Sequence, residues 1–168
     1  MVNRRFSPRL TIEFPAEAIT RMHLVIDGYR GDSGRMWDAD LIRQFLYDFP
    51  SAMGMTRITE PAVLEYHAPK TEDSGVSGFV IIAESHISVH TFPRRHHVNV
   101  DIFSCQPFDG DGALSKVKEL FGLEEVETWQ LERGLEWMDA RQGKEETQRQ
   151  RSDLEARGSA MGSGTPGV

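Results

Sequence analysis

Three β-rich segments follow one another between residues 78 and 103 with almost no linker, and they constrain the fold more than any other feature. They read GFVIIAES, HISVHTF and HVNVDIF, and only a short PRRH segment separates the second from the third. Each is rich in β-branched residues and has the length of a strand. Because tight connections join antiparallel neighbours, whereas parallel strands need long crossovers, the run predicts an antiparallel sheet.

Two amphipathic helices are predicted on either side of this run. The first begins at Asp38 and ends at Pro50, and the second spans 112–121 and ends at Gly122. Apolar residues recur at helical spacing in both. They are Leu41, Ile42, Phe45, Leu46 and Phe49 in the first helix, and Leu114, Val117, Leu120 and Phe121 in the second.

Further strands are predicted at 23–29, 57–67 and 124–132, where HLVIDGY, RITEPAVLEYH and EEVETWQLE stand. Pro61 places the start of the middle one at a sheet edge or a bulge. Together these elements predict an α+β fold. We expect a two-layer sandwich with a largely antiparallel sheet and both helices on one face.

The chain divides into one domain and two ends. We expect the domain to cover residues 22–138, preceded by an N-terminal arm or edge strand at 1–21. Residues 139–168 are dense in charge, Gln, Gly and Ser and carry few large apolar side chains, which predicts a flexible charged tail.

Composition narrows the class of partner. A formal net charge of −7 argues against nucleic acid and anionic membrane, which need a basic face, so a small-molecule substrate is expected. No run of about 18 apolar residues and no secretory signal pattern is present, and we therefore expect the cytoplasm. The single cysteine, Cys105, excludes an intrachain disulfide and a cysteine-based zinc site.

Residues 75–105 carry the chemistry of the chain. They read GVSGFVIIAESHISVHTFPRRHHVNVDIFSC. This segment resembles the prokaryotic S-adenosylmethionine decarboxylases, whose pattern is Gly-Val-Ser-Gly, then Glu-Ser-His, a His five residues after that Ser and a Cys twenty after it. The matching residues here are Ser77, Glu84, Ser85, His86, His90 and Cys105. The likeness extends more loosely over residues 22–138.

The resemblance implies that the chain cuts itself. The hydroxyl of Ser85 would attack the Glu84 carbonyl and form an ester, with Ser77 assisting the oxyanion. His90 would then remove the Cα proton, so that elimination and hydrolysis leave a pyruvoyl group at residue 85. Cys105 would be the proton donor in turnover, in which the pyruvoyl ketone forms a Schiff base with the substrate amine. Glu84 would remain beside the site as the new C-terminus.

Each of these residues also has an ordinary structural interpretation. Ser85 alone would be a turn serine, Ser77 a residue of a glycine-rich turn, His90 a sheet residue and Cys105 a small buried side chain. Their joint spacing favours the catalytic interpretation. His96 and His97 are expected to be solvated loop residues, and no metal is expected, although a site formed by His86, His90, His96 and His97 is conceivable.

Two positions depart from the family pattern, which reads Thr-Trp-Pro-Glu where this chain has Thr-Phe-Pro-Arg. Phe92 keeps an aromatic face for stacking on the substrate. Arg94 replaces a carboxylate near the substrate site, and a cation there disfavours a sulfonium. Glu72 and Asp73, in the preceding loop, are available to bind a cation.

The substrate therefore stays open at this point. Decarboxylation of S-adenosylmethionine, which supplies the aminopropyl donor for spermidine, is the leading hypothesis. A pyruvoyl-dependent arginine or ornithine decarboxylase is the first alternative. A non-catalytic regulatory paralogue ranks last, since Ser85, His90 and Cys105 are all present. The resemblance also implies a homodimer whose sites draw residues from both subunits.

Overall fold

The computed structural model describes residues 21–133 and, beyond them, residues 145, 148, 149 and 152. The predicted arm at 1–21, apart from its last residue, most of the predicted tail at 139–168 and the predicted end of the domain at 134–138 lie outside the described residues. The elements in chain order are β1 (Arg21–Tyr29), α1 (Ser33–Trp37), α2 (Ala39–Ala52), β2 (Ala62–Tyr66), β3 (Gly75–Ile82), β4 (Ser85–Phe92), β5 (His97–Ser104), α3 (Gly110–Phe121) and β6 (Glu125–Arg133).

The six strands form one sheet in the order β2-β3-β4-β5-β1-β6, and every pair is antiparallel. The three consecutive segments of the sequence are neighbours in this sheet, as predicted. Strand β2 lies at one edge and begins immediately after Pro61, which has no N–H to donate to a ladder. The predicted α+β sandwich is confirmed.

The helices cover one face of the sheet. Alternate residues of β3, β4 and β5 are buried beneath them, as a half-buried sheet requires. Residues of α2 and α3 share a single apolar core with the strands, which confirms that both predicted helices lie on one face. The largest fully buried side chains of this core are Phe121, Ile26, Met36, Ile42, Leu46, Ile82, Ile87 and Ile102.

Three local features differ from the prediction. The five-residue helix α1, capped by Asp32, was not predicted because it is too short for an apolar period to show. Pro50 lies inside the last turn of α2 and does not end it, since the fixed φ of proline is close to that of a helix. His97 begins β5 and is not a loop residue. No helix in the described part of the chain is long and apolar enough to cross a membrane.

The opposite face of the sheet carries no helix among the described residues. It presents the odd-numbered positions of β3 and the even-numbered positions of β4, including both members of the Ser77 and His90 pair. Its exposed large apolar side chains are Leu64, Tyr66, Phe79 and Ile81. We call this surface the open face.

Candidate active site

The hairpin of β3 and β4 sets the positions of two predicted residues. Residues 83 and 84 alone connect the strands, and this tight connection fixes a register in which Ser77 lies directly opposite His90. Their side chains lie on the open face, and the Ser77 Oγ is 2.9 Å from His90 Nδ1. Ser77 thus belongs to a strand and not to a turn. The hydroxyl and the imidazole form one hydrogen-bonded unit.

The glycines around Ser77 serve packing. A Cβ on Gly78 would lie 2.6 Å from Leu46 Cδ1, so any larger residue there would have to displace the buried Leu46 side chain of α2. A Cβ on Gly75 would meet the Thr91 carbonyl oxygen. The two glycines of the Gly-Val-Ser-Gly run therefore let α2 and the Thr91 carbonyl approach β3 closely on either side of Ser77.

Ser85, the first residue of β4, has a strained backbone. Its φ is 155°, a value that residues with a side chain rarely adopt. Such a conformation costs about 1–3 kcal/mol and persists only where the surroundings impose it. The strain lies at the peptide bond predicted to break.

Hydrogen bonds from backbone N–H groups hold the residues before that peptide bond on two sides. The β4 and β5 register pairs Ser85 with Ser104 and so brings Cys105 opposite Glu84, whose carbonyl accepts from the Cys105 N–H at 2.9 Å. On the other side, Thr56 N–H donates to Glu84 Oε2 at 3.0 Å and the Thr56 carbonyl accepts from Ala83 N–H at 2.8 Å. The carbonyl predicted to be attacked therefore already faces an amide donor.

His86 contributes a contact that the sequence did not predict. Its Nδ1 is 3.2 Å from the Ser85 Oγ. The ring stacks on Phe79 with centroids 5.4 Å apart and meets Phe103 edge-on at 5.7 Å. Burial lowers the pKa of His86, so its imidazole is neutral near pH 7. The Glu-Ser-His sequence shows that His86 follows Ser85, but it does not predict the contacts of its ring with Phe79 and Phe103.

The chain brings its predicted residues together as two separate groups. We call Glu84, Ser85 and Cys105 the junction, and Ser77 with His90 the open-face pair. Ser85 and His90 are five residues apart on one strand, which at a rise near 3.3 Å per residue is roughly 16 Å. Within one chain, His90 is therefore too far from Ser85 to act on its Cα proton.

The predicted substrate residues lie beyond the open-face pair. Phe92 stacks on His97 with ring centroids 5.7 Å apart, and His97 in turn stacks on Tyr29 at 4.8 Å. Arg94 is exposed in a 3₁₀ turn that begins at Pro93. The Asp73 carboxylate, predicted to be available for a cation, is already paired with the Arg95 guanidinium.

The histidines have partners within the protein. His96 Nδ1 lies 2.9 Å from the Gly31 carbonyl oxygen, and His97 Nδ1 lies 2.9 Å from that of Gly28. His96 is an exposed turn residue, as expected, whereas His97 is half-buried in β5 and stacks on Tyr29 and Phe92, so the expectation of a solvated loop is wrong for His97. Over residues 21–133 and the few described beyond them, no cluster of three or more His, Cys, Asp or Glu side chains could hold a metal ion.

Comparison with known proteins identifies the family. Residues 22–134 match the S-adenosylmethionine decarboxylase family. The chain belongs to this family. It is 34% identical over 115 residues to the S-adenosylmethionine decarboxylase proenzyme of Acidithiobacillus ferrooxidans, covering 66% of this chain and 80% of that one. It is 33% identical over 113 residues to the proenzyme of Geobacillus kaustophilus, covering 67% of this chain and 86% of that one.

A solved member of the S-adenosylmethionine decarboxylase family has the same fold. The crystal structure of the adenosylmethionine decarboxylase from Aquifex aeolicus superposes with a TM-score of 0.57 at 25% identity, covering 69% of this chain and 92% of that one. The resemblance read from the sequence is thus confirmed at the level of family and fold.

Proposed function

We propose that the chain cuts itself between Glu84 and Ser85 and that the pyruvoyl group left at residue 85 serves a decarboxylase acting on S-adenosylmethionine. The observation that supports this most is the junction itself. A strained Ser85 adjoins a carbonyl that the Cys105 amide already hydrogen-bonds. The names of the relatives, S-adenosylmethionine decarboxylase proenzymes, favour the same substrate and a precursor form.

The junction suits the first step of cleavage. When Ser85 Oγ bonds to the Glu84 carbonyl carbon, negative charge develops on the carbonyl oxygen, which the Cys105 N–H already faces at 2.9 Å. Breaking the peptide bond lets residue 85 leave its unfavourable φ, so relief of strain favours the ester. Thr56 keeps the Glu84 side chain in place while this happens.

The second step requires a base at the Ser85 Cα. The open-face pair provides the imidazole of His90, which the Ser77 hydroxyl holds in place. In the same chain, however, His90 lies roughly 16 Å from Ser85 along the strand. A second copy, packed by its open face, would bring its own His90 to this junction. The four exposed apolar side chains of the open face favour such a homodimer, because monomeric proteins rarely leave large apolar patches exposed.

The residues at the junction also suit the cofactor and its turnover. A pyruvoyl group at residue 85 would supply an electron sink for the loss of carbon dioxide from a substrate α-amine. Cys105 Sγ, on the residue paired with Glu84, would return a proton to the substrate Cα. The product would be decarboxylated S-adenosylmethionine, the aminopropyl donor for spermidine.

The charge of Arg94 bears on the substrate but does not select among the candidates, because the side chains of arginine and ornithine are cations as the sulfonium is. Arg94 is exposed where the family pattern has a carboxylate, and a cation beside the site disfavours the sulfonium of S-adenosylmethionine. A pyruvoyl-dependent decarboxylase of arginine or ornithine would keep the junction chemistry and change only the pocket.

A carbon dioxide release assay tests the substrate. The purified, matured protein is incubated in parallel with carboxyl-labelled S-adenosylmethionine, arginine and ornithine. Release from S-adenosylmethionine alone is the expected result. Carbon dioxide released only from arginine or ornithine would assign the protein to that second substrate class. If a fully matured protein releases carbon dioxide from none of the three, both substrate assignments are contradicted.

A further inference from the structure

We propose that His86 is the catalytic base that accepts the Ser85 hydroxyl proton at the start of self-cleavage. This rests on the proposed function and assigns a residue to its first step. The assignment comes from the 3.2 Å contact between His86 Nδ1 and Ser85 Oγ, within reach for a direct proton transfer.

The surroundings hold the ring in a suitable position. Phe79 on β3 stacks on one side of the imidazole, and Phe103 on β5 meets it edge-on. On the open face, Phe103 is the direct cross-strand neighbour of His86 and Phe79 is a diagonal neighbour. The ring is therefore packed between residues of two strands. With the ring proton on Nε2, the unprotonated Nδ1 accepts from the serine hydroxyl.

Other groups near the junction are committed elsewhere. The Glu84 carboxylate accepts from the Thr56 amide. His90 of the same chain is bonded to Ser77 and lies roughly 16 Å along the strand. Of the side chains in the described part of the chain, His86 is the one that hydrogen-bonds to the Ser85 hydroxyl.

The charged groups around His86 favour its neutral form on balance. Burial is the largest cause of its lowered pKa; His23 on β1 and Arg133 on β6 lower it further, whereas Asp101 on β5 raises it. Phe79 is its contact from β3 and carries no charge. A neutral ring near pH 7 is the form that can take up a proton.

The proton balance closes within the two residues. The Ser85 Oγ–H proton moves to His86 Nδ1 while Oγ bonds to the Glu84 carbonyl carbon, giving a five-membered ring with its negative charge on the former carbonyl oxygen. As that charge re-forms the carbonyl, the bond from carbon to the Ser85 nitrogen breaks, and His86 returns the proton to this nitrogen. The products are an ester and a free amine, with His86 neutral again.

The test isolates the first step in a His90→Ala background, where the ester is expected to accumulate. Precursor is made by cell-free translation, and ester is scored over time as the fragment that hydroxylamine releases at residue 85. His86→Phe keeps a ring between Phe79 and Phe103 without an acceptor, and His86→Ala leaves room for added imidazole. His67→Ala, which changes a histidine that is 76% exposed, is the matched control.

We expect His86→Phe to slow ester formation by about 10² to 10⁴-fold, the range of general base catalysis, while the melting temperature stays near that of His90→Ala alone. Imidazole should partly restore the rate of His86→Ala, and the His67→Ala rate should not change. Ester formation at the control rate in both His86 variants would overturn the inference and leave the proposed function intact. Should a variant fail to fold, the rate in the His90→Ala protein is measured against pH: a rise whose midpoint lies below pH 6.5 supports the inference, and a flat profile overturns it. Failure of the proposed function would look different, because neither wild type nor His90→Ala would then yield any fragment.

Discussion

Glu84 and Ser85 of the junction lie on the same hairpin as the open-face pair, but the two groups are held differently. The junction depends on backbone: a strained φ at Ser85 and amide hydrogen bonds to Glu84 from Cys105 and Thr56. The open-face pair depends on two facing side chains of neighbouring strands, a half-buried Ser77 and an exposed His90, on a face that no described helix covers. In the proposed mechanism, one chain would prepare bond cleavage by itself and a second chain would supply the base that completes it.

Removing the nucleophile should have the largest effect. Ser85→Ala has no hydroxyl to attack the Glu84 carbonyl, so we expect no cleavage at any time, measured by denaturing gel and intact mass. Ser88→Ala is the matched control, since Ser88 is on the same strand and its hydroxyl contacts Asp101 at 3.3 Å. Cleavage of Ser85→Ala at residue 84 would refute the role of the junction.

Removing the imidazole of the open-face pair should stop processing at a later step than removing the Ser85 hydroxyl. His90→Ala is expected to stall at the ester, and hydroxylamine should then cut it at residue 85. Normal maturation of His90→Ala would show that His90 has no part in processing.

Mixing the two variants tests whether the groups meet across chains. In a heterodimer of Ser85→Ala and His90→Ala, one site has an intact serine from one chain and an intact histidine from the other. Random pairing of equal amounts should therefore mature about half of the His90→Ala chains. If co-expression leaves every His90→Ala chain uncut, both groups must act within one subunit.

Changing the Cys105 side chain should affect turnover and spare maturation. Cys105→Ala keeps the backbone N–H that donates to Glu84 but loses the proton donor, so turnover should fall by about 10² to 10⁴-fold. Melting temperature and carbon dioxide release are measured on the same sample. A matured, less stable enzyme with full turnover would show that Cys105 is only a packed side chain.

The last prediction concerns the stability that Asp101, a member of neither group, gives to the fold. The hydrogen bond from His23 lowers the pKa of Asp101, outweighing the burial that raises it, and Ser88 also donates to this carboxylate. Because the pKa of Asp101 is lower in the folded protein than in the unfolded chain, the ionised carboxylate stabilises the fold above about pH 4. This stabilisation is lost as the pH falls through the pKa of the folded state. We expect the stability gap between wild type and Asp101→Asn to narrow in urea titrations as pH falls below about 4. A gap that is constant with pH would contradict this.

The sequence predicted the strands and helices well because their apolar periods are long enough to count. It missed α1, whose five residues span little more than one turn. It also placed the end of the second helix at Pro50, whereas α2 continues to Ala52. The tight connection after Ile82 was sufficient in principle to place Ser77 opposite His90. The φ of Ser85 and the rings around His86 arise from tertiary packing, which spacing along the chain does not report.

The mass of the expressed protein shows directly whether the chain cuts itself before Ser85. Under denaturing conditions, intact-mass spectrometry should show two pieces, residues 1–84 and 85–168, and the second should carry a ketone in place of a serine N-terminus. A carbonyl-reactive hydrazine should label that piece alone. A stable full-length chain with an unmodified Ser85 would refute self-cleavage and the pyruvoyl group with it.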